Sequence, residues 1–373
     1  MAAPRLEIDL DKIYHNASTL VKRLAGRGIS VTGVTKVALG SADIASTMLR
    51  AGVKALGDSR IENIEAMRLA QATASMTLIR SPMLSQVKRV VMHADVSCNS
   101  EIEVIRKLSF EAQKADRTHG AILMVELGDL REGIMPGDLA DIVRETLSLP
   151  NILFKGIGTN LACRSGVSPD ARNMAVLSEL ADALEESFGL PVEIVSGGNS
   201  ANLEWALSGA EIGRINDLRL GEAILLGCET LHRQPIDGLH TDAITLSAEV
   251  IEAKLKPSLP SGTIAQTAFG EAPPVTDRGL VTQAILAIGQ QDIDPCGLTA
   301  PAGINIMGAS SDHLILEVAD YDISVGEEVT FQLNYSALVR AMTSPFVTKL
   351  VRPASRHAVS SISPQELIHA LEA

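Results

Sequence analysis

The chain has 373 residues, of which 46% are hydrophobic and 21% charged, a composition typical of a globular protein with a large core and about two domains. Its 45 acidic and 32 basic side chains give a formal charge of −13, which argues against nucleic acid as a partner because phosphate binding needs a basic surface. No run of 18 apolar residues occurs, so the sequence predicts no membrane-spanning helix.

The four cysteines lie far apart in the sequence and form no CxxC pair. This spacing predicts reduced thiols in a cytoplasmic protein, and neither a disulfide framework nor a metal site. Acidic residues interrupt the N-terminal segment MAAPRLEIDLDKIYHN, which argues against a signal peptide.

The first apolar stretch, Leu6–Leu10, predicts a strand, and Asp11 is then predicted to cap a helix. Short β-rich runs alternate with amphipathic helical stretches from there to about residue 230. The predicted strands are Ser30–Lys36, Ala55–Asp58, Thr77–Ser81, Ala94–Asn99, Ala121–Glu126, Phe154–Thr159, Val192–Ser196 and Glu211–Leu218. The predicted helices include Ser41–Ala51, Ile61–Gln71, Ser100–Ala115, Pro136–Leu147, Ala171–Phe188 and Ser200–Ser208. Eight such repeats predict a (β/α)8 TIM barrel over residues 11–230.

The alternation ends after residue 230, where strands follow one another with few helices between them. The predicted strands are Ala243–Lys254, Gly262–Thr267, Gly279–Ile288, Gly303–Met307, His313–Val318 and Glu328–Leu333. Two helices are predicted in addition, at Tyr335–Thr343 and Ser363–Leu371. Residues 231–373, together with the strand in residues 1–10, therefore predict a second domain that is mostly β.

Lys36 stands at the end of the first barrel strand, in VTGVTKVALG, between Val34 and Val37. Active sites of such barrels form where the strands end. Burial lowers the pKa of a lysine and favours the neutral amine that reacts with carbonyl groups. The alternative is a strand-end lysine that extends into solvent.

Further polar residues follow later strands. Arg131 follows the fifth strand, where a surface ion pair with Asp129 or Glu132 is the alternative, and Asn160 follows the sixth, where loop capping is the alternative. The seventh and eighth strands lead into the small-residue loops SGGNS (residues 196–200) and RLGEA (residues 219–223). Because the phosphate site of many barrels follows these two strands, the loops predict phosphate binding.

Taken in order, these residues resemble the alanine racemase family of pyridoxal 5'-phosphate enzymes over nearly the whole chain. The resemblance implies that Lys36 holds the cofactor covalently and acts as a base, and that Arg131 contacts the substrate. It implies further cofactor contacts from Asn160, Ser200, Arg219, Gly221, Glu222 and Tyr335. Arg219 matches an arginine that hydrogen-bonds the pyridine nitrogen of the cofactor.

Long segments, among them LGDSRIEN, VELGDLREGI, SGGNSANL, GQQDIDP, GASSDHLILEV and NYSALVRAMTS, are similar to the ornithine racemase branch of this family. The resemblance implies a cytoplasmic amino-acid racemase that is a homodimer with active sites at its interface. It implies ornithine as substrate, or a broader set that includes lysine. The alternatives are an alanine racemase, a D-amino-acid aldolase, a decarboxylase and a non-catalytic carrier of the cofactor.

The chain departs from the family where the second base is expected. Gln290 stands in place of a tyrosine that reaches the site from the partner subunit, and an amide cannot act as a base. His313 and Asp292 are the predicted replacements, and Asp312 and Cys163 are further candidates. A dibasic amino acid needs a carboxylate for its distal ammonium, for which Asp129, Glu132, Asp292 and Asp312 are available, and Asp312 is the one predicted to bind substrate. Asn160 also replaces a histidine near the cofactor ring, and the segment VALGS directly after Lys36 lacks the tyrosine that contacts the phosphate in the family.

Overall fold

The computed structural model describes residues 4–70, 72–271, 276–319 and 322–353. The chain enters through strand β1 (Arg5–Asp9), which leads directly into helix α1 (Leu10–Ala25). Asp9, and not Asp11 as predicted, caps this helix, because its side chain accepts hydrogen bonds from the amides of Asp11 and Lys12. The cap lies two residues earlier because β1 passes into α1 without a loop.

Eight parallel strands close into a barrel, which confirms the predicted (β/α)8 fold. They are β2 (Ser30–Val34), β3 (Ala55–Asp58), β4 (Ser75–Leu78), β5 (Val96–Asn99), β6 (His119–Met124), β7 (Ile152–Gly158), β8 (Ile194–Gly198) and β9 (Asp217–Leu220). The barrel is closed by pairing of β2 with β9, in which Thr32 lies opposite Arg219.

Helices surround the barrel and bury their apolar faces against it. They are α1, α2 (Ala42–Arg50), α3 (Ile61–Leu69), α4 (Val87–His93), α5 (Ile102–Lys114), α6 (Leu139–Ser148), α7 (Ala171–Phe188), α8 (Leu203–Leu207) and α9 (Glu222–Leu226). The predicted helix Ser200–Ser208 is instead a 3₁₀ turn, Ser200–Asn202, followed by α8, because the Asn199 side chain accepts a hydrogen bond from the Ala201 amide.

The described residues after the barrel form a mainly antiparallel sheet and one α-helix. These elements are β10 (Ile244–Pro257), β11 (Leu280–Leu286), β12 (Leu298–Thr299), β13 (Ile304–Ala309), β14 (Leu314–Val318), β15 (Glu328–Leu333), α10 (Tyr335–Thr343) and β16 (Thr348–Arg352). The sheet has the order β12-β15-β10-β11-β14-β13, and β1 joins it by pairing with β10 and β16. This sheet is the mostly β second part that the sequence predicts; the residue boundaries of the two domains stay a prediction.

The predicted strand Gly262–Thr267 is wrong, because this segment forms a single bridge between Thr267 and Gly270 and no ladder with another strand. The predicted helix Ser363–Leu371 lies outside the described residues. Among the helices of the described residues, none is long and apolar enough to cross a membrane. Helix α10 packs against the 3₁₀ turn Lys36–Ala38 and so brings the C-terminal region to the mouth of the barrel.

Candidate active site

A cavity of about 500 Å³ opens where the barrel strands end. Eight of the predicted site residues line it: Lys36, Arg131, Asn160, Ser200, Arg219, Gly221, Glu222 and Tyr335. They come from six different segments of the chain, as expected for a barrel whose strand ends converge on one site.

Lys36 lies two residues beyond the end of β2, at the start of a 3₁₀ turn. The residue before it, Thr35, is fully buried and donates a hydrogen bond of 2.8 Å to Asp58, so the end of the strand is fixed from below. The Lys36 Nζ atom lies 5.4 Å from the centre of the Tyr335 ring, within range of a cation–π contact. The amine therefore faces the cavity and does not extend into bulk solvent.

Arg219 lies within β9 and is 7% exposed. Its guanidinium donates hydrogen bonds to the Ser196 hydroxyl and, at 2.6 Å, to the Thr159 carbonyl. The Ser196 hydroxyl donates in turn to Asp217 Oδ2 at 2.5 Å, and Thr32 donates to Asp217 Oδ1 at 2.8 Å. Burial raises the pKa of Asp217, while the Ser196 hydroxyl and the Arg219 charge oppose that shift.

The two small-residue loops meet beside Lys36. Ser200, which is 3% exposed, accepts a hydrogen bond of 3.2 Å from the Ala223 amide at the start of α9. A Cβ atom at Gly221 would lie 3.1 Å from both Cβ and the carbonyl oxygen of Val34, so the close approach of β2 and this loop favours glycine. The remaining N–H groups at a helix start have no acceptor within the helix and are available to an anion.

Two polar atoms in the cavity wall are buried without a hydrogen-bond partner among the described residues, Nδ2 of Asn160 and Oγ1 of Thr230. Asn160 Oδ1 accepts a hydrogen bond of 3.2 Å from the Asn199 side chain, which fixes the amide in place. Orphaned buried donors are costly, and a polar ligand in the cavity would satisfy them.

The loops after β6 and β7 present Arg131 and Cys163 to the same cavity. Arg131 forms an ion pair of 2.6 Å with Glu132 and donates a hydrogen bond of 3.2 Å to the Cys163 sulfur. Asp129, 1% exposed, holds the second loop by accepting hydrogen bonds from the amides of Cys163, Arg164, Ser165 and Val167. Asp129 thus stabilises the loop and offers no free carboxylate to a ligand.

Glu222 contributes a side chain to the cavity as well as a backbone amide. Its carboxylate pairs with Arg233, which the sequence analysis did not single out. Burial raises the pKa of Glu222, and the charges of Arg233 and Lys36 oppose that shift. Arg233 reaches the cavity from a loop that the Glu229 side chain organises by accepting three backbone N–H groups.

Three predicted site residues do not line the cavity of a single chain. Asp292 is 9% exposed and accepts a hydrogen bond of 2.5 Å from Ser344. Asp312 and His313 form an exposed pair of 2.8 Å between β13 and β14. The backbone N–H of Gln290 donates a hydrogen bond of 2.8 Å to the Ser310 carbonyl, so Gln290 lies beside the Asp312–His313 pair. Their roles in catalysis and substrate binding stay predictions.

The side chains that line the cavity carry more positive than negative charge. Two carboxylates, Glu132 and Glu222, face five cationic side chains: Lys36, Arg80, Arg131, Arg219 and Arg233. A lysine amine, guanidinium groups and hydroxyls suit an organic anion with a phosphate and a carbonyl group. Within the described residues, no group of three histidine, cysteine or acidic side chains converges to hold a metal ion.

Comparisons with known proteins agree with this arrangement. The family model "Alanine racemase, N-terminal domain" matches residues 8–228. A lysine racemase of Thermotoga maritima is 40% identical over 357 residues, which cover 95% of this chain and all of that protein. An ornithine racemase of Acetoanaerobium sticklandii is 40% identical over 351 residues, which cover 93% of this chain and 99% of that protein.

Solved structures share the fold at lower sequence identity. The alanine racemase from Streptomyces lavendulae superimposes with a TM-score of 0.74 at 18% identity, covering 96% of this chain and 99% of that one. The D-threonine aldolase from Filomicrobium marinum has a TM-score of 0.71 at 18% identity, covering 91% of this chain and 88% of that one. On the match to the family model and the two relatives that align along their whole lengths, the chain belongs to the alanine racemase family.

Proposed function

We propose that this chain is an amino-acid racemase that uses pyridoxal 5'-phosphate and acts on a dibasic amino acid. The observation that carries the proposal is the convergence of Lys36, Arg219 and Ser200 on one cavity. Pyridoxal phosphate, once joined to an amino acid, acidifies the α-proton by accepting the electron pair that the proton leaves behind.

The residues of the chain divide the remaining work. Lys36 would hold the cofactor covalently and, as a free amine, move the α-proton on one face of the substrate. Ser200 and the amides of Gly221 and Glu222 would bind the phosphate, and Asn160 and Tyr335 would border the ring. Arg219 can only donate hydrogen bonds and stays charged, so it would keep the ring nitrogen unprotonated and limit side reactions.

Covalent binding at Lys36 is tested by absorbance and by trapping. Purified protein mixed with pyridoxal phosphate should gain a visible absorption band, and borohydride should fix the cofactor on the peptide that contains Lys36. Lys36→Ala should lose both signals, whereas Lys88→Ala, at an exposed site on α4, should keep them. A wild-type protein that stays colourless with added pyridoxal phosphate would overturn the proposal.

The substrate is proposed to be ornithine or lysine, because the names of the two relatives at 40% identity specify lysine and ornithine. Chiral chromatography of reactions started with L-ornithine, L-lysine and L-alanine should show the D-forms of the first two at the higher rates. Exchange of the α-proton in deuterated water should accompany the conversion. Preferential conversion of alanine would contradict the assignment, and absence of exchange with any amino acid would leave only a carrier.

We further propose that the active enzyme is a homodimer in the cytoplasm, and that a second copy supplies His313, with Asp292 and Asp312, to the cavity. Lys36→Ala and His313→Ala should each be inactive alone. When the two variants are mixed and allowed to exchange subunits, about a quarter of all sites should combine an intact Lys36 with an intact His313. Recovery of activity would support the shared site, and an active His313→Ala variant would exclude this residue as the second base.

A further inference from the structure

A largely buried chain of hydrogen bonds lies beneath Arg219 and contains three residues, Ser196, Asp217 and Thr32, whose side chains have no role in the proposed chemistry. Asp217 and Arg219 are two positions apart on β9, so both point to the inside of the barrel. Ser196 on β8 lies opposite Asp217, and Thr32 on β2 lies opposite Arg219. The neighbouring strands thus each provide one hydroxyl to the Asp217 carboxylate.

The direction of every hydrogen bond in this chain is fixed by chemistry. A guanidinium only donates and a carboxylate only accepts. Ser196 must therefore accept from Arg219 and give its single proton to Asp217, as the geometry of the two contacts requires. The distance of 2.5 Å from Ser196 Oγ to Asp217 Oδ2 is that of a charge-assisted hydrogen bond.

Besides its hydrogen bond to Ser196, Asp217 provides a negative charge close to the Arg219 guanidinium. A guanidinium that is 7% exposed needs a nearby counter-charge, since an unpaired buried charge is strongly destabilising. Asp217 is half-buried at the N-terminal end of the barrel, where it borders a second cavity of about 270 Å³, and Arg219 borders this cavity as well as the candidate site above it. Arg219 therefore lies between the two cavities, with Thr32 and Asp217 on the lower side.

We propose that Asp217 is a positioning residue, which holds the Arg219 guanidinium through Ser196 at the orientation that meets the ring nitrogen of the cofactor. The inference rests on the proposed function, because it presupposes that pyridoxal phosphate occupies the upper cavity. Asp217 does not contact the ligand, because Ser196 and Arg219 lie between them. Its substitution should therefore affect the ring-nitrogen end of the cofactor and leave the phosphate end unchanged.

The test compares pyridoxal phosphate with its 1-deaza analogue, in which carbon replaces the ring nitrogen. Dissociation constants of both compounds are measured by absorbance titration of wild type, Asp217→Asn, Ser196→Ala and Ser97→Ala. Ser97 is the matched control, because it is another buried barrel serine whose hydroxyl bonds His119 at 2.8 Å. Circular dichroism confirms that each variant is folded.

Wild type and Ser97→Ala should bind pyridoxal phosphate about tenfold more tightly than the deaza analogue, the effect of roughly one well-placed hydrogen bond. In Ser196→Ala and Asp217→Asn that ratio should fall towards one, mainly through weaker binding of pyridoxal phosphate. Should Asp217→Asn fail to fold, Ser196→Ala, which keeps the charge, decides the question. An unchanged ratio in the folded variants, or a wild type that binds both compounds equally, overturns the inference alone. A wild type that binds neither compound overturns the proposed function with it.

Discussion

Replacement of Asp129 by asparagine tests how the loop that carries Cys163 is held in place. Asp129 is 1% exposed because residues 163–167 wrap over its carboxylate. Oδ2 accepts the amides of Cys163 and Arg164 at 3.2 and 2.8 Å, and Oδ1 accepts those of Ser165 and Val167 at 3.1 and 3.4 Å. An asparagine keeps one acceptor oxygen, so two of these amides would face an NH2 group that cannot accept.

The loss in stability follows from the bonds that disappear. A hydrogen bond to a charged group contributes about 1.5–3 kcal/mol, so the loss of two such bonds should lower the free energy of unfolding by about 3–6 kcal/mol. Burial raises the pKa of Asp129, but the hydrogen bonds from the Arg164, Ser165, Cys163 and Val167 amides outweigh it and lower the pKa below 3.8. The stability that the carboxylate adds is therefore present at neutral pH and should be lost as the pH falls below about 3.8.

Urea unfolding followed by the fluorescence of Trp205, the single tryptophan, measures the global effect. Trypsin cleavage after the exposed Arg164 measures opening of the loop itself and should become faster in Asp129→Asn. Asp312→Asn is the control, because its exposed carboxylate should change stability by less than about 0.5 kcal/mol. Equal urea midpoints and equal cleavage rates in wild type and Asp129→Asn would refute the proposed role of the carboxylate.

Two further predictions concern buried titratable groups. Burial lowers the pKa of His119 from 6.5 to about 4, so the unfolded chain binds one proton more between these values, and acidification from pH 6.5 to 4 should destabilise the fold by about 1.4 kcal/mol per pH unit. His119→Gln should remove that slope from the urea midpoints, and an unchanged slope would show that other groups cause it. Burial also raises the pKa of the Cys98 thiol to about 11, so a thiol reagent should modify the exposed Cys163 and Cys296 first and reach Cys98 only on unfolding. Protection of Cys163 by pyridoxal phosphate would place it beside the bound cofactor, and modification of native Cys98 at the same rate would contradict the burial argument.

The sequence predicts the barrel well because each βα unit of the fold leaves one β-rich run followed by one amphipathic helical stretch in the sequence. Strand Ala55–Asp58 and helix Ala171–Phe188 have the predicted bounds. The strand ends at Gly57 and Asp58, and the helix is capped by Asp170 at its start and by Gly189 at its end. Membership of the alanine racemase family, also predicted from residues such as Lys36, is confirmed by the comparisons.

The polar interior of the barrel could not be predicted in the same way. The sequence predicts the eighth barrel strand at Glu211–Leu218, whereas β9 begins at Asp217 and includes Arg219. The alternation Asp-Leu-Arg-Leu suggests a strand with one face in water, and nothing local indicates that the polar face points into a barrel. The link from Arg219 through Ser196 to Asp217 depends on the pairing of β8 with β9, which only the closed sheet establishes.

The charges around the cavity bear on how a dibasic substrate is recognised. Both carboxylates of the cavity are already paired with arginine, Glu132 with Arg131 at 2.6 Å and Glu222 with Arg233. A distal ammonium that displaced either arginine would only exchange one partly exposed ion pair for another, so neither carboxylate offers it a clear gain. The single chain is therefore suited to the anionic parts of cofactor and substrate, and the distal ammonium needs a carboxylate from elsewhere.

Asp312 meets that requirement if a second copy presents it to the cavity. Its side chain is 64% exposed and pairs only with His313 among the ion pairs of the described residues. Asp312→Asn should then raise KM for ornithine and lysine about tenfold or more, as expected for one charge-assisted contact, and leave KM for alanine unchanged. Kinetics on the three substrates separate this effect from a general defect of the site. Equal changes in KM for ornithine, lysine and alanine would mean that Asp312 does not bind the distal ammonium. One of the two paired carboxylates would then have to release its arginine in order to bind it.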